Sequence, residues 1–276
     1  MKLSIVTINY NNGEGLRKTL ASVAVQTYSD IEHIIIDGGS SDGSVDAIKE
    51  YVAANPKKDP FLKHTIKWVS EKDSGIYNAM NKGIRLVTGD YVVFMNAGDA
   101  FADENTLALV SQYDGDIMLG EDIYGGVRRR LKETMTLYDL LSNGLYHQAV
   151  YYRQEVLRKY GFDESYKLIA DLKSVVEPLV KDRIALTCIN QPLAVCESGG
   201  VSKQRWRETL TENRRMIDEL VDSFYKDDYL RFARVNNGLL HDFVVLSHFQ
   251  SIFPLIKWLS RLMLFLNSKF KHIPIE

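Results

Sequence analysis

Cysteine is scarce: Cys188 and Cys196 are the only two in 276 residues. Two thiols are too few for a disulfide framework, and they point to a reduced, cytoplasmic chain. An excess of one charge is also missing. With 34 basic and 36 acidic side chains the formal net charge is −2, so no basic field argues for a nucleic-acid partner. The N-terminus, MKLSIVTINYNN, turns polar after eight residues, too early for the apolar region of a signal peptide. No internal repeat or low-complexity tract occurs. The first turn has no G-x-G-x-x-G, which weighs against a dinucleotide oxidoreductase. Its NYNNGEG also lacks the lysines and arginines that a nucleotidyl transferase would place there. What is present is ordinary: 45% hydrophobic and 25% charged residues, in a chain long enough for one large domain or a domain with an appendage.

The first hundred residues alternate between two patterns. Short apolar, β-branched runs predict strands over 3–8, 31–36, 65–69 and 91–95. Between them, helical spacing covers 15–25 (Leu16, Leu20, Val23), the stretch after SSDGS through Val45, Ile48 and Val52, and 76–87. Such alternation with short loops predicts a mainly parallel sheet covered by helices on both faces. Beyond residue 100 the rhythm changes. YDGDIMLGEDIYGGVRRRL reads as two strands joined through Gly125-Gly126, an antiparallel hairpin. Residues 147–152 read as a strand, and 170–180 as a helix that Pro178 should bend or end. Residues 184–195 read as a strand broken at Pro192, and the chain after 200 as mostly helical. The organisation is an α/β half over 1–100, a mixed half over 101–203 and a helical extension over 204–276.

In open parallel sheets ligands sit beyond the carboxyl ends of the strands. The four exits here read TINYNN, DGGSSDGS, SEKDSGIYNAMNKG and NAGD. Turns alone would account for the Asn, Gly and Ser, but not for an aspartate at three of four exits. That coincidence favours one polar site. At the fourth, the apolar run Tyr91–Met95 stops abruptly at Asn96, Gly98 and Asp99.

Taken in order, SIVTINYNN, IIIDGGSSDGS, EKDSGIYNAMNKGI, TGDYVVFMNAGD, HQAVYY, FDESYKLIAD and GGVS resemble glycosyltransferase family 2. These are inverting enzymes of the nucleotide-diphospho-sugar transferase (GT-A) fold, here of the bacterial polysaccharide-biosynthesis type. The resemblance spans roughly residues 1 to 203. It implies a GT-A catalytic domain whose first half holds the nucleotide and whose second half holds the acceptor, followed by the helical C-terminal extension.

The resemblance assigns Asp37 to the nucleobase, although an Asx-turn ahead of Gly38-Gly39 would use the same carboxylate. Thr7 and Asn9 line the nucleotide edge in the same family, or simply form a polar turn. Asp73, Asn81 and Lys82 are nucleotide-side candidates; Asp73 and Ser74 also suit a helix cap, and Lys82 suits a solvated helix face. Many relatives end the fourth strand with two acids holding Mg2+ or Mn2+ against the diphosphate. Here Asn96 replaces the first acid and only Asp99 is a carboxylate, so a cation would be held by less protein charge. The family's catalytic base falls on Asp171, at a helix start where the dipole also favours an anion. Asp163 and Glu164 are fallbacks. His147 and Gln148 resemble acceptor-side residues, and a structural histidine would fit equally.

These assignments imply transfer of a sugar, with a lean to a UDP-sugar donor, to a hydroxyl of a saccharide or lipid-linked saccharide. A catalytically silent nucleotide-sugar binder or assembly partner is the competing reading, prompted by the thinned acid pair. The greasiest stretch, 251–272, is interrupted by Lys257 and Arg261 and is too short for a confident span. It suits an interfacial helix on the inner face of the cell membrane, or one packed on the domain or on a second subunit of a homo-oligomer.

Overall fold

The computed structural model describes residues 1–54, 64–197 and 205–222. Its first half is built on four parallel strands, β1 (Leu3–Asn9), β2 (Ile31–Asp37), β3 (Thr65–Ser70) and β4 (Tyr91–Phe94), in the spatial order β3-β2-β1-β4. Helices α1 (Gly13–Ala24), α2 (Ser44–Ala54) and α3 (Ile76–Leu86) connect them. β1 and β2 are buried along their whole length, which is why their sequences are nearly unbroken apolar runs. β3, at the end of the row, is partly exposed and carries Lys67, a usual guard for an edge. On one face Ile35 packs with Leu16 and Leu20 of α1 and Ile48 of α2. On the other, α3 buries Tyr77, Ala79, Met80, Gly83 and Ile84, a helical stripe. Gly83 allows the close approach: a Cβ there would lie 2.4 Å from Val6 Cγ1.

Register decides which exits meet. Asn9 pairs with Asp37, and Asp37 with Ser70. β4 ends at Phe94, yet Met95 N–H still donates to the Val6 carbonyl (2.9 Å) and Ala97 N–H to that of Ile8 (3.0 Å). The ladder therefore continues and lays Asn96 beside the β1 exit.

The second half contains β5 (Ala100–Phe101), α4 (Thr106–Val110), β6 (Ile117–Tyr124), β7 (Val127–Arg129), α5 (Leu137–Asn143), a 3-10 turn (His147–Ala149), β8 (Val150–Arg153), α6 (Gln154–Tyr160), α7 (Ala170–Lys181), β9 (Leu186–Cys196) and α8 (Trp206–Leu220). The sheet continues β4-β8-β6-β9-β5, with β7 on β6. β8 is antiparallel to β4 and β6, and β9 is parallel to β6. The hairpin forms where Gly125-Gly126 predicts it, with Tyr124 opposite Val127. The expected break in the last strand appears as a register shift opposite Gly120–Asp122, where Pro192 faces Glu121, a position where proline is tolerated.

One expectation needs correction. Residues 147–149 are a 3-10 turn, not the start of a strand; a pleated strand would send His147 and Gln148 to opposite faces, whereas the turn lets both line one cleft. Pro178 does not end its helix, which runs on to Lys181. The first compact unit is Met1–Val221 and the second Asp222–Glu276. α8 belongs to the first because Met216, Ile217 and Leu220 are buried. The stretch 251–272 lies outside the described residues.

Candidate active site

The exits of β1, β2 and β3 form a closed polar cluster. Asp37 has no exposed surface. Its Oδ1 accepts from Asn9 Nδ2 (2.8 Å) and Ser40 Oγ (2.6 Å), and its Oδ2 from Ser40 N (2.9 Å) and Ser70 Oγ (2.6 Å). A carboxylate offers about four acceptor positions, so this one is saturated. Burial pushes its pKa up, but the serine and asparagine donors outweigh burial and hold it below the ordinary range. The geometry thus delivers the Asx-turn at the β2 exit, and a nucleobase N–H would have to displace one of these donors. Asp73 lies next to it, its Oδ2 3.1 Å from where a Cβ on Gly38 would sit. Lys82 Nζ clasps the Asp73 loop, reaching Asp73 Oδ1 (2.5 Å), Glu71 Oε1 (2.8 Å) and the Lys72 carbonyl (3.0 Å).

Beside the β4 exit opens a cleft of about 760 Å³, within the size range of small-molecule sites. Asn96, Asp99, His147, Gln148 and Asp171 all line it. Asn96 Nδ2 is 2.8 Å from His147 Nε2, and His147 Nδ1 is 3.0 Å from Asp171 Oδ2. Asp171 Oδ1 accepts from the Tyr77 hydroxyl (3.1 Å) and the Leu172 N–H (2.9 Å). Burial, then the Asp171 charge, raises the Tyr77 phenol well above its usual pKa, so Tyr77 is a neutral donor.

Asp99 is braced from both sides, Oδ2 by Gln148 Nε2 (2.6 Å) and Oδ1 by Glu197 N (2.8 Å). Burial raises its pKa in spite of those donors. The NAGD turn itself is held by α1: Thr19 Oγ1 donates to the Asp99 carbonyl (2.6 Å) and receives from Gly98 N (3.0 Å), while Lys18 Nζ reaches the Gly98 carbonyl (2.5 Å). Gly98 has φ +107°, and a Cβ on it would meet Glu197 Oε2 at 2.2 Å; only glycine fits there.

The cleft is also lined by Tyr124, Leu141, Leu145, Tyr146, Trp206 and Leu210. Arg129 stacks 3.6 Å over the Tyr146 ring, its guanidinium fixed on Asp122 (2.5–3.0 Å). α8 contributes more than a wall. Glu212 accepts from the backbone N–H groups of Lys167 (2.7 Å), Leu168 (2.9 Å) and Ile169 (3.2 Å), fixing the entry to α7, which carries Asp171.

Two sequence candidates are spent on protein partners. Thr7 is fully buried, its hydroxyl 2.9 Å from His33 Nε2, because in β1 it faces the helices rather than the rim. Asn81 is spent on the 162–164 loop, donating to the Phe162 carbonyl (2.8 Å) and Glu164 Oε1 (2.9 Å) and accepting from Phe162 N (2.9 Å). The same bonds make Glu164 a strut, and Asp163 is paired with Lys173 (2.6 Å), so neither fallback is placed as a base. None of Thr7, Asn9, Asp37, Asp73, Asn81 and Lys82 lines the 760 Å³ cleft; Asn9, Asp37, Asp73 and Lys82 form the neighbouring cluster on the same rim. Residues absent from the sequence reading are Tyr77 and Tyr146 in the cleft and Tyr10, which is 69% exposed beside Gly38. Tyr77, inside the DSGIYNAMNKG segment, was the most legible of these.

Among the described residues no group of three or more His, Cys, Asp or Glu converges on a metal position. Asn96 Oδ1 is buried with no protein partner, and Asp99 retains acceptor capacity beyond its two donors. That donor set fits a hard cation sharing its coordination with a substrate diphosphate, not one caged by protein.

The family pattern described as Glycosyl transferase family 2 matches residues 4–165. A PGL/p-HBAD biosynthesis glycosyltransferase of Mycobacterium bovis (strain BCG / Pasteur 1173P2) is 30% identical over 175 residues, covering 61% of this chain; the match spans 66% of that relative's own length. Among solved structures, S. aureus TarS 1-349 aligns with TM-score 0.63 at 17% identity, covering 86% of this chain and 74% of that one, and it has also been solved with UDP and with UDP-GlcNAc. The mannosyltransferase PcManGT from Pyrobaculum calidifontis, solved with GDP-Man and Mn2+, aligns with TM-score 0.63 at 16% identity over 84% of this chain and 69% of its own. These likenesses bear out the GT-A fold expected from the strand exits. With the family pattern running unbroken from β1 past β8 and over more than half of its length, this chain belongs to glycosyl transferase family 2.

Proposed function

We propose that the protein transfers a sugar from a nucleoside-diphosphate donor, a UDP-sugar, to a hydroxyl of a saccharide or lipid-linked saccharide in cell-surface polysaccharide assembly, with inversion. The observation that carries this reading is Asp171: a carboxylate held by three donors in a cleft that apolar and aromatic side chains also line. In the reaction the acceptor oxygen forms a bond to the anomeric carbon as the bond from that carbon to the diphosphate oxygen breaks. The hydroxyl proton passes to the Asp171 carboxylate, and the electron pair of the broken bond leaves with the nucleoside diphosphate. One displacement inverts the centre. Asp171 serves as the base; Asn96 and Asp99 would hold Mg2+ or Mn2+, which supplies positive charge to the departing diphosphate.

The β1–β3 cluster suits the nucleoside, with exposed Tyr10 offering a ring face, Asp73 an acceptor, and Asp37 an acceptor once a base N–H displaces one of its serine or asparagine donors. The lean to uridine is supported by the TarS complexes, and PcManGT keeps guanosine as the comparison to run. The apolar wall of Leu141, Leu145, Trp206 and Leu210 suits an acceptor with a sugar face or a lipid carrier. Among the described residues no helix is long and apolar enough to cross a membrane, and a peripheral location at the cell membrane belongs to this same proposal.

One observation favours a silent binder instead: both Asp37 and Asp99 are already engaged by protein donors. A thermal-shift series with UDP-glucose, UDP-galactose, UDP-GlcNAc and GDP-mannose, with and without Mn2+, followed by transfer assays over an acceptor panel, separates the two. Ligands raise the melting temperature with saturation, so the series reports base, sugar and cation together. The transferase reading expects a UDP-sugar shift and turnover. Asp171→Asn should then lower kcat by about 10²–10⁴-fold with the donor shift kept. Retained turnover in D171N removes Asp171 from the role, and donor shifts without transfer or hydrolysis favour the binder.

A further inference from the structure

We infer that His147 is a positioning residue for the base, delivering one N–H to Asp171, and not itself the proton acceptor or an acceptor-sugar contact. The inference rests on the reading of Asp171 as base.

The argument begins with what an amide can do. Asn96 presents Nδ2 to His147 Nε2 at 2.8 Å, and an amide nitrogen only donates. Nε2 must then accept, and the ring proton sits on Nδ1, 3.0 Å from Asp171 Oδ2. The ring is only 8% exposed, so no water is needed to complete it. The two contacts thus set the tautomer, the ring giving its Nδ1 proton to the carboxylate and taking one from the amide at Nε2.

A histidine bonded to a carboxylate through Nδ1 is also the arrangement in which Nε2 serves as a general base, with the acid as its orienter. Here that nitrogen is capped. An acceptor hydroxyl would have to displace Asn96, whereas Asp171 Oδ2 holds a single protein donor and keeps acceptor capacity toward the cleft. An acid at position 96 would not serve here: a carboxylate cannot donate to Nε2 and would not hold this tautomer. The unpartnered Asn96 Oδ1 remains for the donor side, so one amide ties the diphosphate corner to the base.

Histidine has two partial mimics. Asn at 147 places its amide N–H near Nδ1 and keeps a donor for Asp171. Gln reaches the Nε2 position, keeps a partner for Asn96 and loses the donor to Asp171. With the donor sugar found in the thermal-shift series and its acceptor, H147Q should lower kcat about a hundredfold or more at unchanged donor and acceptor KM. H147N should recover most of that loss, to within about tenfold of wild type. Long-range ¹H–¹⁵N spectra of histidine-labelled full-length protein, assigned by the signal missing in H147N, should show a neutral Nδ1–H ring at 147. Melting curves and donor shifts confirm that both variants fold.

Equal losses in the two variants with a raised acceptor KM would make His147 an acceptor contact and overturn the inference. So would H147N as inactive as D171N, which would make the ring the proton acceptor, or an Nε2–H ring in the spectra. An inactive D171N beside an H147Q of normal kcat sinks the inference alone. Turnover retained in D171N sinks the base reading and the inference with it.

Discussion

At the residue scale, the strand β4 ends as it does because three residues carry separate duties within one turn. Asn96 joins His147, Gly98 takes a conformation that other residues strain to adopt, and Asp99 pins both Gln148 and the end of β9. Gly98→Ala tests whether the turn is as exact as it looks. A Cβ at φ +107° and 2.2 Å from Glu197 Oε2 should cost about 1–3 kcal/mol, read as a Tm lowered by about 2–10 °C. It should also lower kcat, since Asp99 shifts with it. A G98A protein of wild-type Tm and kcat would show that the turn has slack. The individual letters NAGD were legible in the sequence as a polar corner. Their division of labour was not, because Thr19, Lys18 and Glu197, which hold them, lie 77–98 residues away in the chain.

At the scale of elements, the parallel half is tied at the end opposite the site. Glu32 of β2 is buried and receives Ser4 Oγ (2.6 Å), Thr88 Oγ1 (2.7 Å), Gly89 N (2.9 Å) and Lys2 Nζ (3.1 Å), joining β1 and β2 to the loop before β4. Burial pushes its pKa up, but these donors prevail and bring it down to about 2 from 4.5. A depressed carboxylate contributes stability above its unfolded pKa and loses it as pH falls through the folded one. Glu32→Gln should therefore cost about 2 kcal/mol at pH 7, with the gap to wild type closing between about pH 4.5 and pH 2. Urea unfolding at pH 7 and at pH 3 checks this, and an E32Q deficit unchanged at the lower pH contradicts it. The first four strands and first three helices were readable from periodicity within one or two residues. The short helices α4, α5 and α6 were missed, although Thr136 and Asp139 form a capping box at α5, a local signal that was there to be used.

At the scale of the whole molecule, α8 decides where the catalytic unit ends. It buries Met216, Ile217 and Leu220 and lends Glu212 to three N–H groups ahead of α7. A chain ending at Asp222 should unfold cooperatively and keep its UDP-dependent thermal shift. A chain ending at 204, without α8, should melt lower and lose transfer first, because the approach to Asp171 loses its anchor. Circular dichroism melts with and without UDP decide between them, and equal behaviour of the two truncations would remove α8 from the site.

The sequence alone determined the alternating strands and helices, the hairpin at Gly125-Gly126 and the polar rim, because these depend on local periodicity and turn chemistry. It also carried the family, through motifs in a fixed order. Only the tertiary structure decided which polar residues act together. Asp37 and Asp99 read alike in sequence, yet register saturates one with serines while the other braces the cleft. Asp171 became a held carboxylate through Tyr77, His147 and Glu212, from three distant elements. Hydrogen-bond capacity is local to each side chain, but how it is spent depends on what folding brings within about 3 Å.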